Sequence, residues 1–227
     1  MSYNLTIKIS LENIMELFVL IAEIIGTIAF TISGSMIAVE RKMDLLGVIL
    51  LGSVTAVGGG MIRDIILGFD HPMLFDSPMS CIIAVVTSIL IFIICYRFKG
   101  YTYTDKKWYS STMNIIDSIG LGIFVVIGVQ VTKSTTSNAF LIIFCSVLTG
   151  VGGGIVRDIL AAKIPNVFRK HIYAVAALIG ALCYYVFSLF NLYESLNIIL
   201  TVGVVVVLRY LARRYQWSLP KIHIEHE

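Results

Sequence analysis

Residues 56–67 read AVGGGMIRDIIL, and residues 150–161 read GVGGGIVRDILA. The same Gly-Gly-Gly-x-x-Arg-Asp phrase is written twice, each time inside strongly apolar sequence. Glycine is a poor helix former, and Arg and Asp are expensive in lipid. A costly phrase that occurs twice points to a device.

The flanks set the environment. Of the 227 residues, 58% are hydrophobic and 14% charged, with a mean hydropathy of +0.91. Soluble domains carry about 25% charge, so the composition indicates a membrane protein. The +3 net charge is too small, and the basic residues too scattered, for a nucleic-acid surface. Cys81, Cys95, Cys145 and Cys183 lie in apolar runs without metal-ligand spacing, and read as buried thiols.

A membrane-crossing helix needs about 20 apolar residues. Seven stretches qualify: Ile14–Val39, Leu45–Gly68, Ser77–Tyr96, Thr112–Val131, Ser137–Ala162, Ile172–Phe190 and Leu196–Leu211. The first is too long for a signal peptide, carries Glu23 and follows acidic residues, so it reads as a mature helix. Asp117 is the one interior charge of the fourth span, and Arg209 near the end of the seventh is expected to snorkel to the interface. Tyr96, Tyr101, Tyr103, Trp108 and Trp217 fit an interfacial belt.

The two phrases are 94 residues apart. At that offset Glu23 meets Asp117, Gly26 meets Gly120, Phe30 meets Phe124, Gly34 meets Gly128 and Thr55 meets Thr149. Over residues 21–65, 14 of 45 positions are identical. The reading is a three-helix unit at 14–96, a second at 112–190, a seventh helix at 196–214, and short tails at 1–13 and 215–227. Three is odd, so the second copy enters from the opposite side. Such inverted repeats place their working site near the midplane, on interrupted helices.

Seven spans put three Lys and Arg residues on the N-terminal side and fourteen on the other. The bias places the N-terminus outside and the C-terminus in the cytoplasm.

Each triple glycine costs about 1 kcal/mol per residue relative to alanine, which makes a weak point where a helix can kink. Carbonyls freed at a break could replace part of a cation's hydration shell. Glycines also let helices pack closely. A nucleotide-binding loop is excluded, since no Lys-Ser/Thr follows. Successive helical residues point about 100° apart, so Arg63 and Asp64 are not expected to pair directly. Crossed pairs, Arg63 with Asp158 and Arg157 with Asp64, are expected instead, or neutralisation by Glu23 and Asp117. These two acids could equally draw cations into a pore. No hydrolase, metalloprotease or Walker motif is present, and no enzyme is read.

The doubled phrase, the spans and the duplication resemble the prokaryotic branch of the trimeric intracellular cation (TRIC) channel family, whose members are also catalogued as "glycine transporter" domains. The resemblance covers about Ile14 to Arg214. It implies an all-α membrane protein, a homotrimer, and a pore in each subunit lined by the second and fifth helices. It implies passive permeation of monovalent cations, chiefly potassium, in a prokaryotic cell membrane, with no cofactor, no resident metal and lipid as surroundings. It carries over the kinks to Gly58, Gly59 and Gly60 and to Gly152, Gly153 and Gly154. Ser53, Thr55, Ser146 and Thr149 would be pore or gate groups. The alternative is a secondary transporter of glycine or another small solute.

Overall fold

The computed structural model describes residues 2–98, 106–169, 172–190 and 192–217. Lys99, Lys170, Lys221, Tyr101, Tyr103, His171, His223 and His226 lie outside the described residues. Among those described there is helix and no strand.

The helices are α1 (Ser2–Glu40), α2 (Leu45–Leu67), α3 (Met79–Arg97), α4 (Lys106–Thr135), α5 (Ala139–Leu160), α6 (Asn166–Arg169), α7 (Tyr173–Leu189) and α8 (Glu194–Arg214). Six of them hold spans of membrane-crossing length and hydropathy: Glu16–Glu40, Leu45–Leu67, Met79–Arg97, Ser110–Thr135, Ala139–Leu160 and Glu194–Arg214. α7 is apolar but has only 17 residues, about 26 Å at 1.5 Å per residue. The chain is an all-helical integral membrane protein. Helix α1 begins well before Ile14, and the single turn α6 and a 3-10 turn at Met73–Phe75 were not anticipated.

Local chemistry sets the ends. Asp44 caps α2 by accepting from the Gly47 amide at 2.8 Å, and Asn138 caps α5 by accepting from Phe140 and Leu141 at 3.0 and 3.3 Å. Both satisfy orphan first-turn amides. Gly68, at φ +75°, ends α2 in the left-handed conformation that glycine adopts without strain.

Helices α2 and α5 form the most extensive pairing. α1 packs on α2 and α3, and α2 on α3; α4 packs on α5 and α7, and α5 on α7. α8 lies against α4 and α7. α4 is the most buried span and α3 the least. Leu46, Leu50, Ile65, Ile82, Leu90 and Phe140 face outward, as lipid contact requires. Cys145 is buried, while Cys81, Cys95 and Cys183 are only partly so, because their stretches also touch that outer surface.

At the centre Phe30 of α1 stacks on Phe124 of α4, ring centroids 5.1 Å apart. Gly26 lies against Phe124 and Gly120 against Phe30. These small residues bring the helices close, which is the main source of association in lipid.

Candidate functional site: two vestibules across the α2–α5 crossing

Helical structure continues unbroken through both glycine triplets. There the glycines supply close approach. A Cβ on Gly59 would overlap the Thr149 carbonyl, and one on Gly153 would overlap the Thr55 carbonyl. A Cβ on Gly152 would stand 3.2 Å from the Gly59 Cα. Gly58, Gly60 and Gly154 have more room, with nearest neighbours at 3.7, 3.8 and 3.6 Å.

The hydroxyls on these helices turn inward on themselves. Thr55 donates to the Leu51 carbonyl at 2.5 Å, Ser146 to Ile142 at 2.5 Å and Thr149 to Cys145 at 2.6 Å. All three are buried. Ser53 is half-buried, and its Oγ has no hydrogen-bond partner among the described residues. Thr149 alone of the four lines one of the cavities described next.

Two polar cavities flank the crossing. The Glu23 vestibule, about 200 Å³, is lined by Glu23, Thr27, Gly60, Arg63, Asp64 and Thr149 among others. The Asp117 vestibule, about 240 Å³, is lined by Ser33, Glu40, Asp117, Arg157, Lys163 and Arg209 among others. The first takes the middle of α1, which is the first half of its span Glu16–Glu40, and the late parts of α2 and α4. The second takes the late parts of α1, α5 and α8 and the early part of α4. They therefore open toward opposite ends of the bundle, with the glycine contact between them.

The crossed ion pairs are not formed. Arg63 donates Nε and Nη2 to the adjacent Asp64 at 2.8 and 2.6 Å. Arg157 donates Nε to the adjacent Asp158 at 2.9 Å and Nη1 to Asp117 at 2.8 Å. The 100° argument fails because an arginine side chain is long enough to curl round its own helix. Each aspartate also holds the loop that follows. Asp64 accepts from the Met73 amide at 3.0 Å, and Asp158 from the Asn166 amide at 2.8 Å. Arg-Asp is thus a helix-end clasp, made twice.

Beyond the clasps the two sides differ. Ser33 donates to Asp117 at 3.0 Å and stands 2.7 Å from Arg157 Nη1. These contacts tie α1, α4 and α5 together around Arg157, which is 2% exposed. Arg209 does not snorkel. It is buried, and its guanidinium carbon lies 4.4 Å over the Tyr173 ring, a cation–π contact inside the bundle. Among the described residues Glu23 pairs with no arginine. Its carboxylate accepts from the Ser80 hydroxyl of α3 at 2.7 Å. Sequence reasoning missed Ser33, Ser80 and Tyr173, since a lone Ser or Tyr in an apolar helix gives no local signal.

The profile of the family described as "Glycine transporter" matches residues 20–96 and 114–188. The inner membrane protein YadS of Escherichia coli, of the group designated UPF0126, is 38% identical over 89% of this chain and 95% of its own length. The membrane protein YvgT of Bacillus subtilis, of the same group, is 34% identical over 87% and 93%. Among solved structures, a TRIC cation channel superposes with a TM-score of 0.79 at 34% identity, covering 91% of this chain and 98% of that one. A prokaryotic TRIC channel solved in potassium chloride gives 0.78 at 31% identity, covering 90% and 100%. The trimeric intracellular cation channel orthologue from Rhodobacter sphaeroides gives 0.78 at 26% identity, covering 88% and 98%. With its profile match, its UPF0126 relatives and its likeness to these channels all spanning most of the sequence, the chain belongs to the glycine transporter family, the family of the TRIC channels.

Proposed function

We propose that the protein is a passive channel for monovalent cations, potassium above all, with a separate pore in each subunit of a homotrimer. The observation that carries this reading is the pair of polar vestibules opposed across the α2–α5 glycine contact. The path runs from one vestibule to the other between Gly58–Gly60 and Gly152–Gly154. Flexing of the two helices at these triplets opens it. Thr149 meets the ion at the narrow point, and Ser53, Thr55 and Ser146 line it when the helices part. The likeness to solved cation channels, one of them named as trimeric, supports both the activity and the assembly.

The pore is framed by seven spans, with α7 as the shortest, in two inverted three-helix units at 14–96 and 112–190 and a final helix at 196–214. Support comes from the two profile matches, which begin 94 residues apart at 20 and 114, as the two phrases do. The matching contact sets of α1–α2–α3 and α4–α5–α7 support it too. The protein sits in the plasma membrane of a prokaryote. The Lys and Arg bias puts the N-terminus and the Glu23 vestibule outside, and the C-terminus and the Asp117 vestibule at the cytoplasm.

The family's description favours a second reading, a carrier for glycine or another small solute. A barrier between two vestibules serves alternating access as well as gating. Planar-bilayer recording of the purified protein in asymmetric potassium chloride separates the two. Discrete currents reversing near the potassium potential are expected. Saturable glycine uptake into liposomes without such currents would establish the carrier.

A further inference from the structure

Glu23 and Asp117 occupy matching positions of the two 94-residue frames, yet their surroundings have diverged. Asp117 is neutralised by Arg157 at 2.8 Å. In the Glu23 vestibule the arginine among the described lining residues, Arg63, is committed to Asp64 at 2.6 Å. Among the described residues no Lys or Arg forms an ion pair with Glu23, whose recorded partner is the Ser80 hydroxyl. No basic side chain among the described residues therefore offsets the carboxylate on the cavity wall.

Its position amplifies that charge. Glu23 lines the vestibule that reaches Gly60 and Thr149, and also a neighbouring cavity of about 540 Å³ between α1, α4 and the start of α8. Glu16 and Glu194 face that second cavity, and among the described residues no basic one lines it. Glu194 is held by Gln130 at 2.6 Å, a neutral partner, and Lys133 reaches to Ser188 at 3.0 Å. Among the described residues, the two cavities at the Glu23 end are thus lined by Glu16, Glu23, Asp64 and Glu194 against Arg63. The Asp117 vestibule carries Glu40 and Asp117 against Arg157, Lys163 and Arg209. One mouth is acidic and the other basic.

We propose that Glu23 is the cation-recruiting residue of the acidic mouth, and that the charge difference between the mouths makes the current rectify. This rests on the channel reading. Cations gather where the potential is negative, so flow entering from the Glu23 side is larger than flow entering from the Asp117 side. Asp117, spent on Arg157, does not share this role.

Single-channel recording at two salt concentrations tests it. The Debye length is about 10 Å in 0.1 M salt and about 3 Å in 1 M. A recruiting charge acts in the first and is screened in the second. In about 0.1 M potassium chloride, wild type should rectify, and Glu23→Gln should rectify clearly less and lose about half of the larger conductance. In about 1 M the two should coincide. Glu23→Asp, which keeps the charge, should rectify like wild type. A conducting Glu23→Gln with wild-type rectification in dilute salt would overturn the proposal and leave the channel intact. So would a Glu23→Asp as impaired as Glu23→Gln. Wild type that rectifies no more in dilute than in concentrated salt would overturn it without any variant. Absence of cation current from wild type would overturn both readings together.

Discussion

Gly59 and Gly153, 94 positions apart in sequence, meet backbone to backbone where α2 crosses α5: a Cβ on Gly59 would stand 3.3 Å from the Gly153 nitrogen. Each also lies against a threonine carbonyl of the other helix. The contact leaves no room for a side chain at either glycine, so the approach of α2 to α5 depends on both.

Gly59→Ala and Gly153→Ala should each destabilise the protein. The inserted methyl meets backbone, which cannot step aside as a flexible side chain can. Overpacking of this kind costs about 1–3 kcal/mol, against a gain of about 1 kcal/mol in helix propensity. Gly58→Ala and Gly60→Ala, with neighbours no nearer than 3.7 Å, should keep or raise stability. Thermal unfolding in detergent compares the four. Equal losses at all four would show that helix bending, not close approach, governs these sites.

Asp117→Asn should cost more than Glu23→Gln. The first leaves Arg157, 2% exposed, with Asp158 as its remaining charged partner. Weakening a buried charge network of this kind costs about 2–4 kcal/mol. The second removes one bond, from Ser80, at a partly buried site. Its cost should be about 1 kcal/mol. Denaturation of the two variants side by side gives the ranking, and a reversed order would contradict the assignment of the ion pair to Asp117.

The doubled glycines and charges stand out in the sequence because both are improbable in lipid, and the long apolar runs around them announced an all-helical membrane protein. Asp117 and Arg157 were visible as charges, but their pairing was not. It depends on how α4 and α5 rotate about their own axes, which Ser33 helps to fix from α1. The adjacency of Arg63 and Asp64 was misjudged because helical angles describe where a side chain starts and not where a long one ends. The second role of Asp64 and Asp158 lay hidden in main-chain amides at Met73 and Asn166, which carry no sequence signature.

Asp64→Ala should loosen the α2–α3 connection locally. Asp64 is the acceptor for the Met73 amide at 3.0 Å. Without it the 3-10 turn Met73–Phe75 loses an anchor to α2. Amide hydrogen exchange through residues 69–78 should quicken by about tenfold, the equivalent of about 1.4 kcal/mol, while the centre of α4 stays protected. Asp158→Ala should act in the same way on the segment after α5, through the Asn166 amide. Uniform acceleration across the protein would instead mean that the clasp supports the whole fold.

A double-mutant cycle decides between adjacent and crossed pairing. Arg63 and Asp64 share two hydrogen bonds, at 2.8 and 2.6 Å. Arg63→Ala and Asp64→Ala should therefore show a coupling of about 1–3 kcal/mol. Arg63 and Asp158 share none among the described residues, and their cycle should be additive within about 0.5 kcal/mol. Arg157 has two acidic partners, so its cycles with Asp117 and with Asp158 should each show part of the coupling. The triple variant should then fall short of the sum, because each pair is lost once in it but counted twice among the single variants. Strong coupling between Arg63 and Asp158 in equilibrium unfolding would mean that the clasps exchange partners, and would put that exchange on the path between the two vestibules.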